Sequence, residues 1–533
     1  MRPLPATGIM LSPTIHEPEA PAPGVTAQPA PDPPRDKKPP PSNRFDVMLA
    51  RRLHPALAVL ALIALSTTGC PEKPVNGPTG PVYGGLNLSV VVPSADYRDT
   101  WDQPARDWAA ETGASVTIVD GDSTKAPPPG AAVIVSLADL PDLLTKVEPA
   151  EIPEPLLSES QLAWNDLLPG LRDHVGVRMR RPMLLPIAAP VLVCGYRQDL
   201  LDKAGLAPPA TWADYDRLVQ TVADWAPGLV AVEPRATDYR ATLFAARSLA
   251  PALPPGQLGL YFDPETMSPR IAAPPFVQAL TELATLTPKL DPRSNEMSPA
   301  DCLTALSTGQ AAIGLCVVTG DGTRRNTDSS QAVALGFSAL PGTRSLYDVT
   351  TGQWSPADEG GPINRAALVG PGAFVAVVAS GPAAEVEASW SLLQKLVVSE
   401  QGQLLPVSAR SPVRESQLDR VDLFCPASLG GQSARRALAA IAGSLRGSSV
   451  CVELPLPDSS EFRKSLAVAV RKTLDGQATA ETALTELSQE WTSRLKDAPH
   501  ADETRRVYRE SLGFVGELSI TPLGGTGRPT TPE

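Results

Sequence analysis

The chain has 533 residues, a formal net charge of −12 and 42% apolar residues. That length allows two or three domains or one large two-lobed unit, and that apolar share builds a sizeable core and excludes wholesale disorder. The acidic balance disfavours nucleic acid and anionic membrane surfaces as partners.

Residues 1–47 are crowded with proline, as in "HEPEAPAPGVTAQPAPDPPRDKKPPPS". They can bury no face and read as a disordered segment upstream of a better start at Met48. From Met48 the text is MLARRLHPALAVLALIALSTTGC. Arg51 and Arg52 form a basic n-region, and Ala56 to Leu65 is an apolar run too short to span a bilayer. The small residues Thr67, Thr68 and Gly69 before Cys70 resemble the lipobox of bacterial lipoproteins. This implies a signal peptide over 48–69, cleavage before Cys70 and lipid on its thiol. Thr67 stands where leucine is usual, so a plain secretory signal cleaved nearby is the alternative. Residues 70–85 read as a flexible tether. Removing 1–69 takes away seven Lys/Arg and five Asp/Glu and leaves the mature chain more acidic still.

Beyond the tether, short valine-rich runs alternate with amphipathic ones. Strands are predicted at 86–92, 114–119, 131–137, 191–196, 311–318, 333–337 and 373–379. Their near-continuous apolar character suits sheets covered on both faces. Helices are predicted over 212–226 (Trp212, Tyr215, Val219, Val222 and Ala226 on one face), 386–397, 460–475 and 480–495. Thr211 is placed to cap the first, and Gly476 to end the third. The fold class is α/β.

Chemistry is sparse. No G-x-S-x-G and no P-loop occurs. His174 and His500 follow Cys70, both in polar surroundings that read as surface, so no catalytic residue is assigned. Five cysteines follow Cys70 without a C-x-x-C: Cys194, Cys302, Cys316, Cys425 and Cys451. No metal and no cofactor is expected from them. Cys425 and Cys451 flank one predicted helix and either pair or remain buried thiols.

The stretch VLVCGYRQDLLDKAGLAPPATW (191–212) is similar to a signature of bacterial extracellular solute-binding proteins, the large sugar-binding group that includes maltose-binding protein. Its parts are a hinge strand ending in Tyr196, then Asp199-Leu200-Leu201, Lys203-Ala204-Gly205-Leu206 and Pro209-Ala210-Thr211-Trp212. Arg197 and Gln198 replace the usual Asn-Lys. "GQAAIGLCVVTGDG" (309–322), "LGFSALPG" (335–342), 372–403 and 455–495 resemble further segments of the group in the same order. The resemblance covers roughly 86–496. It implies a two-lobed periplasmic-binding-protein-like fold with hinge strands. The lobes would be 86–190 with 336–405, and 191–335 with 406–496, followed by a C-terminal tail at 497–533.

The resemblance implies binding by lobe closure rather than catalysis, with an ABC transporter permease as partner. The chain would be a monomer outside the cytoplasm, held to the membrane by lipid at Cys70. The ligand expected is a small solute, a carbohydrate. Aromatic faces and carboxylates or amides would line its cleft. Candidate ligand residues at strand ends and in loops are Asp96, Tyr97, Ser136, Asp139, Asp321, Trp354 and Phe374, with Trp354 expected beside Tyr97 and Asp139. Trp212 and Tyr196 read as core. The group's stacking tryptophan after the Gly-x-Ala-Ala strand is missing, where "TGDG" stands. A lipid-anchored hydrolase and a receptor-like lipoprotein without a transport role are the competing readings.

Overall fold

The computed structural model describes residues 82–514, apart from 123–124, 159, 324–331, 356–360, 371, 399–402, 448 and 498–500. The chain divides into two units, and all described residues belong to the second, Asn76–Glu533. The expectations for 1–47, for the signal peptide 48–69 and for Cys70 therefore lie outside the described residues.

Two sheets organise this unit. The first has the order Ser115–Asp120, Asn87–Val92, Ala132–Ser136, Phe374–Val378, Leu185–Ala188. Its first three strands are parallel, and Phe374–Val378 runs antiparallel, with Phe374 opposite Ser136. The second has the order Leu335–Ala339, Leu192–Arg197, Ala311–Val317, Val230–Val232. Gly195 and Gly314 are register partners in it. A Cβ at Gly195 would stand 2.8 Å from Leu306 Cδ1, and one at Gly314 2.5 Å from the Val232 carbonyl oxygen. Only glycine lets the backbones approach so closely.

The chain steps from the first sheet to the second at 189–191, because Leu192–Arg197 pairs wholly within the second. Helix Gln198–Ala204 follows and ends at Gly205, whose φ of 66° is cheap only for glycine. Helix Trp212–Gln220 then starts on a capping box between Thr211 and Asp214 and buries Trp212, Tyr215, Leu218 and Val219. The helix predicted over 212–226 is broken at Thr221. A short second helix, Val222–Trp225, brings the Trp225 indole back to the Leu218 carbonyl at 2.9 Å.

Two cores form, and the second sheet contributes to both, with Val193, Val232, Cys316 and Leu335 in the first and Cys194, Ile313 and Leu315 in the second. The first collects the valines of 87–92, 132–136 and 374–378 with Trp101 and Trp390. The second is richer in aromatics, with Trp491 at 5.1 Å from Phe262, 5.5 Å from Phe462 and 5.8 Å from Tyr261, ring centre to ring centre. One of these contacts is stacked and two are edge-on, and both kinds add to the burial of the rings themselves. Within 497–533, expected as a tail, Ala501–Ser511 is a helix. Its Val507 is buried in the first core and its Tyr508 in the second.

Cys194, Cys302, Cys316 and Cys451 are free thiols, and the Cys425 thiol donates to the Ala434 carbonyl at 3.7 Å. Burial pushes Cys451 up to about 12 and Cys194, Cys302 and Cys316 higher still, so these thiols stay protonated. Among the described residues, no helix is long and apolar enough to cross a membrane, and no group of three His, Cys, Asp or Glu side chains is placed to hold a metal ion.

Candidate functional site

Five of the seven candidate residues gather at the carboxyl edge of the first sheet. Strand Asn87–Val92 runs into helix Ala95–Thr112, whose first turn carries Asp96 and Tyr97. The helix rotates Tyr97 inward and Asp96 outward. Tyr97 is 1% exposed, its ring 5.2 Å from Trp101 and 5.8 Å from Phe374. Its hydroxyl is buried without a hydrogen-bond partner, and burial raises its pKa, so it is a neutral phenol. Phe374 lies beside Ser136 in the neighbouring strand. The Ser136 hydroxyl donates to Asp139 Oδ2 at 2.7 Å and accepts from the Asp139 amide at 3.1 Å, which fixes that turn. Asp96 Oδ2 accepts from the Ser408 hydroxyl at 2.8 Å.

Asp321 sits past the end of Ala311–Val317 in the second sheet. Burial pulls its carboxyl up, but the Thr323 hydroxyl (2.6 Å) and amide (2.9 Å) hold it below the usual carboxylate range. The segment 404–410 reaches both sheets. The Leu404 carbonyl accepts from the Trp101 indole at 2.8 Å, the Ser408 hydroxyl donates to Asp96, and the Arg410 carbonyl accepts from the Gly320 amide at 2.9 Å.

Trp354 stands apart from this group. The two-residue strands Tyr347–Asp348 and Gln353–Trp354 pair, and Trp354 covers Tyr347 at 5.4 Å. It lines a pocket of ~480 Å³ with Trp212, Arg247, Glu282 and Arg344, into which neither Tyr97 nor Asp139 enters. The reason is local, because Tyr347 supplies the apolar surface that a loop tryptophan needs.

The sequence reading missed the residues that join the first-sheet edge to the second core. Helix Ser459–Leu474 packs in the second core through Phe462 and Leu466. At its start, the Ser459 hydroxyl donates to the Ala138 carbonyl at 2.8 Å, and the Asp458 amide donates to Asp142 Oδ1 at 2.9 Å. One turn on, Arg463 pairs with buried Glu453 at 3.2 Å and donates to the Thr242 hydroxyl at 3.2 Å. Burial raises the Glu453 carboxyl against the pull of Arg463, and its Oε1 has no partner. A Cβ at Gly370, between the two halves, would lie 3.2 Å from Glu453 Oε2. Isolated charges in a proline-rich loop give no signal of this arrangement.

The junction therefore offers carboxylates, a guanidinium, hydroxyls and the half-buried Phe374 ring, which suits a polar solute.

No protein-family model matches the chain, and no curated protein does. Solved structures do. The chain is similar to a maltose-bound MalE3 of T. maritima at 15% identity over 76% of this chain and 99% of that one, TM-score 0.50. It is similar to an ABC transporter solute-binding protein of Agrobacterium radiobacter K84 in complex with ribitol, at 18% identity over 77% and 99%, TM-score 0.53. It is also similar to the sugar-binding protein MalE of Xanthomonas citri, at 16% identity over 77% and 98%, TM-score 0.54. The chain has the two-lobed fold of maltose-binding-protein-like solute-binding proteins.

Proposed function

We propose that the protein is a lipid-anchored extracytoplasmic solute-binding protein that captures a small solute, a carbohydrate, by lobe closure and delivers it to an ABC transporter. The observation that carries this reading is the direct bonding of the Ala138–Asp142 turn to the start of helix Ser459–Leu474, across the junction of two cores. A solute at that junction touches both lobes only when they are closed, so it favours the closed form. The half-buried Phe374, backed by Tyr97, supplies a ring face, and Asp96 and Asp139 accept from hydroxyls. The binders of maltose and ribitol among the similar structures support the solute class.

In this reading the lobes are close to 86–190 with 336–405, and 191–335 with 406–496. The place of Phe374–Val378 in the first sheet supports that division, while Leu335–Ala339 in the second moves the junction past Ala339. The mature protein is a monomer held by lipid on Cys70.

The test is mass spectrometry of a natively purified, then denatured, sample. A co-purified sugar or polyol is expected, and the same compound must raise the melting temperature without turnover. Asp139→Ala is expected to weaken its binding about tenfold, the loss of one charge-assisted hydrogen bond. Steady product release from a glycoside would instead make the protein a hydrolase. Cys70→Ala is expected to move the protein from the membrane fraction to the soluble one, and identical fractionation would refute the anchor.

A further inference from the structure

The pocket beside Trp354, of ~480 Å³, lies away from the strand-edge site. That volume is typical of small-molecule sites, about 300–1,000 Å³. The start of helix Trp212–Gln220 and the helix Pro274–Leu286 form one side, and the segment 342–345 with Trp354 forms the other.

The charges on its wall do not balance. Arg247 is already neutralised. Its Nε bonds Glu282 Oε2 at 3.0 Å, and it pairs with Asp216 as well. Glu282 is the one carboxylate on the wall among the described residues, and both its oxygens are taken, because Oε1 accepts from Gln278 Nε2 at 2.8 Å. That leaves Arg344. It is half-buried and forms no hydrogen bond or ion pair among the described residues. Its Nε is buried without a partner, while its two Nη groups stay accessible. Arg365 stands against Gly342 at the rim, where its Nη2 donates to the Ala210 carbonyl at 3.0 Å, and burial and the nearby Arg344 together lower its pKa. The first turn of helix Trp212–Gln220 reaches the same wall at exposed Ala213 and adds the positive end of its dipole. Asp214 of that turn is taken up by the capping box and by Arg217. Trp354, half-buried and braced by Tyr347, gives the wall an aromatic surface, which Pro251 and Pro275 extend.

A guanidinium with free Nη groups takes a carboxylate through two parallel hydrogen bonds, and an indole surface takes a flat ring. We infer that this pocket binds a small monocarboxylate carried on a flat ring, with the carboxylate on Arg344 and the ring against Trp354. A neutral ring leaves the guanidinium uncompensated. A small inorganic anion leaves the apolar wall uncovered. A dianion such as a phosphate ester brings its second charge towards Glu282. The site is independent of the carbohydrate reading above.

Calorimetric titration of the protein with 2-naphthoate, 2-naphthamide and cyclohexanecarboxylate tests this. The first has the charge and the flat ring, the second only the ring, the third only the charge. We expect 2-naphthoate to bind at about 10–100 μM, and each of the others about tenfold more weakly. In Arg344→Gln the acid and the amide converge. In Trp354→Leu the affinity for 2-naphthoate falls to that for the saturated acid. If Trp354→Leu fails to fold, Ala213→Glu, an exposed change at a helix start, weakens 2-naphthoate about tenfold and leaves the amide as it was. The inference is overturned if 2-naphthoate shows no binding up to millimolar concentration, if the amide or the saturated acid binds as well as it does, or if folded Arg344→Gln still prefers the acid.

Discussion

The two cores bury their arginines differently. In the first, Arg414 donates to the carbonyls of Leu162 and Ala163, both at 3.0 Å, with Asp166 at 3.9 Å. In the second, Arg235 bonds buried Glu233 at 2.6 and 3.0 Å and adds the Thr287 hydroxyl and the Leu283 carbonyl. Arg247 pairs with Asp216 and Glu282 and lies 4.9 Å over the Trp212 ring. Carbonyl dipoles do not titrate, and losing the cation leaves them merely unsatisfied. Carboxylates titrate, and losing the cation leaves a buried charge. Of these three arginines, the two in the second core are therefore the ones whose loss strands a closely paired carboxylate.

The largest expected effect follows from this. Arg235→Leu strands Glu233 and lowers stability by about 3–5 kcal/mol, read by urea unfolding. Replacing both residues by leucine recovers most of that, because removing a whole buried pair is far milder than breaking it. Arg414→Leu is expected to cost less, about 1–3 kcal/mol, the loss of hydrogen bonds to backbone acceptors. Equal losses from the two single variants would erase the contrast between the cores.

The third effect is a slope in pH. Burial pushes the Asp216 carboxyl up to about 6 against the pull of Arg247. Its folded pKa thus exceeds its unfolded value of about 4, and the folded state binds the proton more tightly. The contribution is full below pH 4 and is lost as pH rises through about 6. Asp216→Asn is expected to lack this decline, a difference of a few degrees in melting temperature across that window. Parallel profiles for parent and variant would remove Asp216 from the argument.

Smallest is Thr211→Ala, which opens the capping box of helix Trp212–Gln220. It is expected to cost about 1 kcal/mol, with no effect on either pH slope or the first core.

That capping box shows what was legible in the sequence. Long valine runs, caps and terminal glycines specify local structure, and the strands and helices they predict are present. Leu335–Ala339 lies two residues beyond its predicted start. Strand Leu185–Ala188 was not legible, because Pro186 interrupts it and it is buried throughout. Val230–Val232 and the parallel pair Ala367–Val369 with Val450–Val452 are too short to show alternation. The neighbours of Trp354 were not legible because a two-residue hairpin strand leaves no pattern, and Tyr347 covers its ring. The Glu453–Arg463 pair exists only through long-range packing, which isolated charges in a sequence do not announce.

Helix Ala501–Ser511 has a consequence in time rather than in energy. Arg506 reaches the Leu144 carbonyl at 3.5 Å, and Glu510 pairs with Arg178 at 3.2 Å. Arg509 holds the Pro264 carbonyl at 3.3 Å and Glu265 at 2.6 Å. With Val507 in one core and Tyr508 in the other, parting the lobes would require undocking this helix. On the proposed reading of capture by lobe closure, the association rate is expected to climb with solute concentration and level off at the helix's own undocking rate, whereas a chain ending at residue 500 is expected to keep climbing in proportion.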